Sequence, residues 1–253
     1  MPNAIILSAG QGKRLTPLTD NLPKCLAPFH GRPLLEWQVR ALAACGFEDI
    51  AVVTGFKARA VEAAMKSAAL PVRLRFIFNP FYAVADNIGS CWAAAGYFGE
   101  DTLLLNGDTM FEPSVVETLL GSSPGEITVT IDRKAAYDAD DMKVRSRDGR
   151  LERISKALEA PVDAESIGMI RFRGQGGARF VTALRNALDD QAALKRWYLS
   201  VIDELAQEGG VGVASIEGRV WSELDYPADL RSSEATAARI ARVLFDRAGA
   251  AAV

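Results

Sequence analysis

Residues 5 to 24 join an apolar strand to a glycine turn and a set of fixed cations. The run Ile5-Ile6-Leu7-Ser8 leads into Ala9-Gly10-Gln11-Gly12, then Lys13 and Arg14, and ten residues later Pro23-Lys24. A buried strand gives such a segment rigidity. The glycines let bare backbone N–H groups approach an anion, and Lys13, Arg14 and Lys24 supply charge where phosphate oxygens would have to be held. A polyphosphate is therefore the expected ligand of this turn, and a strand feeding such a turn is the first unit of an α/β fold.

Two better-known glycine motifs do not fit. A dinucleotide fingerprint needs a glycine three places after Gly12, where Leu15 stands, and a Walker A loop needs Gly-Lys-Ser/Thr, where Gly12-Lys13 is followed by Arg14. Gly10 and Gly12 alone would also suit an ordinary strand-to-loop turn. Arg14, Pro17, Pro23 and Lys24 at these spacings favour the phosphate site.

Apolar runs alternate with helical periodicity through the first half of the 253 residues, which predicts βαβ units feeding a Rossmann-like, doubly wound, mostly parallel sheet. Strands are expected at Ala4–Ser8, Ile50–Thr54, Arg73–Phe78, Thr102–Asn106 and Ile127–Ile131. Helices are expected around Leu35, Val39 and Leu42 and around Val61, Ala64 and Met65, and Trp92 to Phe98 is expected to close a third. Met142–Arg147 and Arg150–Ser155 flank Asp148-Gly149, a strong two-residue turn signal, and predict a β-hairpin inserted as a lid over the carboxyl edge of the sheet. A strand at Ile167–Phe172, helices at Gly176–Leu188 and Ala192–Gln207 and a strand at Val211–Ile216 follow. A last helix starts after Pro227 and runs towards Phe245, and the alanine-rich tail from Ala248 is expected to fray. The chain reads as a single domain, 1–253, with a nucleotide-binding part at roughly 1–132, an acceptor-binding part at roughly 133–235 and a C-terminal helix at roughly 227–246.

Composition narrows the partners. A net charge of −3 with interspersed signs gives no basic footprint for nucleic acid, and no apolar run is long enough to span a membrane. With no leader-like segment, the cytoplasm is the expected compartment. Cys25, Cys45 and Cys91 suit buried thiols better than a disulfide framework or a zinc site. A homo-oligomer is compatible with all of this.

Two acids stand where chemistry is expected. Asp108 ends the apolar strand Leu103-Leu104-Leu105 at an Asn-Gly-Asp turn, and Asp225 precedes the last helix. Asp108 would serve either as a turn residue bonding its own backbone or as a Mg²⁺ ligand. Asp225 would serve either as a helix cap or as a second ligand, with Asp229 a weaker rival.

The segment from Leu7 to Lys24 resembles the signature of the sugar-phosphate nucleotidyltransferases, and two further blocks extend the likeness. Leu105-Asn106-Gly107-Asp108 resembles that family's strand-end metal aspartate. The block from Trp221 through Asp225 to Leu230 resembles its second metal aspartate before the last helix. The resemblance implies Mg²⁺ held by Asp108 and Asp225, a nucleotide held around Leu7, Ala9, Gly10, Gln11, Gly12, Lys13 and Arg14, and transfer of a nucleotidyl group to a phosphomonoester with release of pyrophosphate. Lys13 and Arg14 would hold the departing β- and γ-phosphates, and Lys24 the α-phosphate and the attacking phosphate. The second phosphate pKa lies near 6, so the nucleophile is already a dianion at neutral pH and no general base is needed, in keeping with a chain whose only histidine is His30.

The segment Asn79-Pro80-Phe81-Tyr82 to Asn87-Ile88-Gly89-Ser90 looks more like the phosphocholine cytidylyltransferase branch than the sugar branch, with Asp86 in place of the first of two asparagines. That likeness favours CTP, with Asn87 reading the base, and Ser90 either holding a phosphate or capping the following helix. It also favours a small, often cationic acceptor such as a phosphocholine-like compound, an aminoalkylphosphonate or an amino-acid-amide phosphate. Asp141, Lys143, Glu165, Trp221, Glu223 and Tyr226 are the candidate acceptor residues, although each carboxylate also suits an ordinary surface charge and each aromatic ring the core. A hexose-1-phosphate uridylyl- or thymidylyltransferase is the alternative reading, and a non-catalytic nucleotide-binding subunit a further one.

Overall fold

In a computed structural model, residues 2–122 and 124–246 are described. The alanine-rich tail expected to fray lies outside them. The elements in chain order are β1 (Asn3–Ser8), β2 (Pro28–Phe29), β3 (Arg32–Pro33), α1 (Leu34–Ala44), β4 (Asp49–Thr54), α2 (Ala58–Ser67), β5 (Arg73–Phe78), α3 (Asn87–Ala93), β6 (Asp101–Asn106), β7 (Thr109–Phe111) and α4 (Pro113–Gly121). After these come β8 (Ile127–Asp132), β9 (Lys143–Arg147), β10 (Arg150–Ser155), β11 (Ala164–Arg173), α5 (Gly176–Leu188), α6 (Tyr198–Glu208), β12 (Val211–Ser215), β13 (Trp221–Glu223) and α7 (Asp229–Ala241).

Nine strands form one sheet in the order β5-β4-β1-β6-β11-β8-β12-β10-β9. Alternate residues of β1 show why the sequence reads as a continuous apolar run. Ile5 and Leu7 pack with α3, α5 and α6 on one face, while Ala4 and Ile6 pack with α1, α2 and α4 on the other. A third cluster joins Leu15, Trp37, Met110 and Leu224 to Ile240 of α7, so the turn after β1, strand β7 and the last helix share one core.

The doubly wound α/β class holds, with its parallel character confined to β5-β4-β1-β6 and the pair β8–β12. β11 runs antiparallel to both its neighbours. The β9–β10 hairpin is not a lid laid over the sheet. β9 pairs back onto the start of β11, through Ala164 with Val144 and Glu165 with Lys143, so the hairpin is built into a closed circuit of five strands.

Three expected helices differ in extent. The third begins at Asn87, because Asp86 caps it by accepting the Asn87 N–H at 2.7 Å, and ends in a separate 3₁₀ turn at Ala95–Tyr97. The stretch Ala192–Gln207 divides into a 3₁₀ turn at Gln191–Lys195 and α6, with Arg196 and Trp197 extended between them. The last helix starts at Asp229 and passes into a π turn at Arg242–Asp246.

Candidate active site

Chain order along the sheet reverses between β1 and β6, which lie side by side with β4 and β5 beyond β1. Open α/β sheets bind ligands outside the carboxyl ends of strands at such a point. Here those ends carry the loop from Ala9 to Arg14 and the turn Asn106-Gly107-Asp108. The two loops touch: the Gly107 N–H donates to the Leu7 carbonyl at 3.0 Å, and a Cβ at Gly107 would fall 2.5 Å from that oxygen. Only glycine permits this approach.

Asp225 reaches the same place through a short ribbon. β13 pairs antiparallel with β7, Glu223 opposite Thr109, and the Leu224 N–H donates to the Asp108 carbonyl at 3.1 Å. Asp229 fixes the next turn, one carboxylate oxygen accepting the N–H groups of Asp225 at 2.8 Å and Tyr226 at 2.7 Å. Asp225 is therefore not a helix cap, and Asp229 acts on the backbone.

Lys24 arrives on a 3₁₀ turn behind Pro23, its N–H donating to the Gln11 carbonyl at 3.2 Å. Gly12 takes φ +80°, and a Cβ there would lie 2.7 Å from the Lys24 Cβ, so the second glycine of the motif makes room for the lysine stem. Lys24 Nζ sits 2.8 Å from Asp108 Oδ2 and 2.6 Å from Asp225 Oδ1, while Arg14 Nη2 sits 2.8 Å from Asp225 Oδ2. Burial alone would lower the Lys24 pKa, but the two carboxylates outweigh it and hold it above its ordinary value. Burial likewise opposes, and Tyr226 and Asp225 overcome, a raised value at Arg14.

Arg14, Asp108 and Asp225 border a cleft of about 370 Å³; Lys24 does not line it and meets it only through the two aspartates. Of the residues singled out in the sequence, Leu7, Ala9, Gly10, Arg14, Asn87, Ser90, Asp108, Asp141, Glu165, Glu223 and Asp225 line it. Ser90 is inside α3 and buried, its hydroxyl accepting from the Asn79 amide at 3.1 Å, and the cap it was offered belongs to Asp86. The Asn87 amide oxygen accepts the Tyr198 N–H at 2.9 Å, which leaves its NH₂ end for the cleft.

Other expected residues are placed elsewhere. Lys13 is exposed and does not line the cleft, and the Gln11 amide donates to the Thr19 carbonyl at 3.3 Å, bracing the loop. Lys143 points its ammonium at the Lys156 carbonyl, 2.8 Å away, inside the hairpin. The Trp221 indole donates to Asp132 at 2.7 Å; Trp221 and Tyr226 border a neighbouring cavity of about 310 Å³, across Glu223 and Asp225 from the first.

Lys156, Trp197 and Asp86 also line the cleft, and the sequence reading did not assign them. Lys156 Nζ stands 4.6 Å from the centroid of the Trp197 ring and 3.7 Å from Asp140. One signal was available. Ser155 pairs with Lys143 across the Asp148-Gly149 turn, so Met142 and Lys156 are the next facing positions at the open end of the hairpin, where it meets the cleft.

Glu165, on β11, is buried beside Asp141, and both lie 2.8 Å from Lys134 Nζ. Burial pushes its carboxyl up to about 7, against the pull of Lys134. Crowding by protein, then the charges of Asp108 and Asp225, push Glu223 up as well, although water still reaches it from the cleft and tempers the effect. The raised Glu165 value has a sign. From its ordinary value of 4.5 up to about 7 the folded protein holds a proton that the unfolded chain has released, so this contribution to stability is lost as pH rises through that window. Glu165→Gln is expected to escape that loss, gaining about 1–2 kcal/mol over the parent protein near pH 8 and little near pH 5. Thermal unfolding across that range checks it, and parallel curves would refute the assignment.

Comparison with known proteins identifies the family and the fold. The profile of the MobA-like NTP transferase domain matches residues 4–210. The CMP-5'-(3-aminopropyl)phosphonate synthase of Streptomyces rubellomurinus is 30% identical over 240 residues, covering 91% of this chain but only 38% of that protein. The CTP:phosphoglutamine cytidylyltransferase of Campylobacter jejuni is 23% identical over 253 residues, covering 90% of this chain and 97% of that one. The solved inositol-1-phosphate CTP transferase from T. maritima shares the fold with a TM-score of 0.81, at 21% identity over 94% of this chain and 96% of that one. The match spans the glycine turn, Lys24 and the turn bearing Asp108, and the chain belongs to the MobA-like NTP transferase domain family.

Proposed function

We propose that the chain is a Mg²⁺-dependent cytidylyltransferase that joins CMP from CTP to a small phosphomonoester or phosphonate and releases pyrophosphate. The observation that carries this reading is the junction of Lys24 with Asp108 and Asp225, three segments distant in sequence brought to one point with Arg14 beside it. The names of the relatives support CTP and a small acceptor.

The donor set suits Mg²⁺. Asp108 Oδ1 is buried without a hydrogen-bond partner, and a hard oxygen left so is costly unless a cation meets it. Asp108 and Asp225 are two carboxylates, the number Mg²⁺ takes when substrate phosphates and water complete its shell. When bound there it would neutralise phosphate charge and align the triphosphate.

The remaining chemistry belongs to the chain. An acceptor phosphate or phosphonate oxygen attacks the α-phosphorus; the new O–P bond forms as the α–β bridging bond breaks, and pyrophosphate leaves with the electron pair. Lys24 offsets the repulsion between the two approaching anions, and Arg14 faces the departing phosphates. Lys156, which lines the same cleft and shares Asp140 with Arg14, supplies positive charge for the acceptor's phosphate. His30 takes no part, being exposed beside Glu234. Asp141, Glu165 and Glu223 favour an acceptor with a cationic group. No described helix is long and apolar enough to cross a membrane, and the nucleotide supply would place the activity in the cytoplasm.

A product screen tests the reading. Each nucleoside triphosphate is incubated with Mg²⁺ and a panel of phosphocholine, aminoalkylphosphonates, amino-acid-amide phosphates and hexose 1-phosphates, and pyrophosphate is followed. Release is expected with CTP and a small acceptor. Release only with UTP or dTTP and a hexose 1-phosphate would overturn it, as would nucleotide binding without turnover.

A further inference from the structure

Tyr226 was expected to meet the acceptor, yet its contacts point to the nucleotide side. Arg14 Nη1 donates to its hydroxyl at 3.0 Å, and the guanidinium carbon lies 4.8 Å from the ring centroid. The hydroxyl in turn donates to Asp140, whose carboxylate also stands 3.9 Å from Arg14. Asp140 is held from behind, its N–H donating to Asp138 at 2.8 Å, and Asp229 fixes the Tyr226 backbone. The result is a strap from the glycine loop through the entry to the last helix to the segment before β9. Arg14 borders the catalytic cleft, Tyr226 the neighbouring cavity and Asp140 both.

The strap matters because, among the described residues, Arg14 and Lys156 are the cations lining the cleft. A guanidinium is a planar fork, useful to phosphate only at the right angle. One end and one face of this fork are taken by Tyr226, while the other end rests on Asp225. Once Asp225 is engaged in ligation, the Nη2 end loses that partner while the Nη1 end keeps its own. We infer that Tyr226 and Asp140 are positioning residues for Arg14, holding its guanidinium ready for the β- and γ-phosphates of the bound nucleotide. The inference rests on the nucleotidyltransferase reading above and assigns Tyr226 to the nucleotide instead of the acceptor.

Tyr226→Phe keeps the ring and removes the hydroxyl. It is expected to lower kcat/KM for the nucleotide roughly tenfold, about the effect of one charge-assisted hydrogen bond, and to leave the acceptor KM within about twofold. In an Arg14→Ala background the same change should have no further effect, since the hydroxyl acts through Arg14. Affinity for magnesium tripolyphosphate, read by calorimetry, should follow the same pattern. That probe needs no base and no turnover, so it reports on the strap even if CTP proves not to be the substrate. A rise confined to the acceptor KM would overturn the inference, as would a loss of nucleotide efficiency of equal size with and without Arg14. Should Tyr226→Phe fail to show a cooperative unfolding transition, Asp140→Asn, at an exposed position, is read by the same measurements and the same criteria.

Discussion

Lys24→Ala is expected to lower the turnover number by about two to three orders of magnitude, some 3–4 kcal/mol of transition-state stabilisation, while nucleotide affinity changes far less. The asymmetry follows from where the charge sits. Lys24 is only 14% exposed and touches both candidate metal carboxylates, so its ammonium acts in a water-poor site at the point where two phosphates must approach. Arg14 and the glycine turn remain to hold the triphosphate in the variant. Steady-state pyrophosphate release and equilibrium binding of CTP separate the two quantities, and an unchanged rate would remove Lys24 from the mechanism.

The same variant has a structural signature. Without the ammonium, Asp108 and Asp225 face each other across the gap it filled, and breaking a largely buried pair on one side is destabilising. Both carboxylates keep some solvent contact, at 23% and 18% exposure, which places the loss nearer about 1–2 kcal/mol than the value for a fully enclosed pair. Lys24→Met retains the stem that packs on Gly12. It should fold as well as or better than Lys24→Ala while remaining as inactive, which separates the charge from the packing.

The parts of the site that were legible in the sequence are those fixed by short spacing. The strand, the glycine turn and Pro23-Lys24 lie within 20 residues, and Asp108 follows the apolar run of β6 directly. Asp225 was legible only through its surrounding block, because what brings it to Asp108 is a ribbon of two three-residue strands, too short to show a period. The same limit hid the pairing of β9 with β11, a two-residue contact that turns the expected lid into part of the sheet. α4 escaped because its apolar residues Val115, Val116 and Leu119 follow a proline at Pro113, which marks a first turn as readily as a break. Lys13 and Lys143 failed for another reason. Residue type names a charge, but only the fold decides whether its side chain turns towards the cleft.

Removing the second carboxylate should be as damaging as removing the lysine. Asp225→Asn is expected to cut turnover by about a thousandfold, since a neutral amide oxygen neither binds Mg²⁺ as well nor offsets Arg14 and Lys24 when the site is empty of substrate. Chelation of divalent ions should abolish turnover in the parent protein, and added Mg²⁺ should restore it there but only weakly in the variant. A reading independent of turnover comes from stability. A ligand that binds only the folded state raises stability by RT ln(1 + [L]/Kd), so CTP with Mg²⁺ should raise the melting temperature of the parent protein more than CTP with chelator, and that difference should shrink in Asp225→Asn and in Asp108→Asn. Opposing terms decide the sign of the ligand-free comparison. Each asparagine removes a negative charge from the crowded set that includes Glu223, which favours the variant, but it also leaves Lys24 with one carboxylate in place of two, which favours the parent. The contacts at 2.6 and 2.8 Å outweigh repulsion from a glutamate that water still reaches, so both asparagine variants should melt below the parent without ligand. Equal responses to Mg²⁺ in all three proteins would place the metal elsewhere and leave the two aspartates as partners of Lys24 alone.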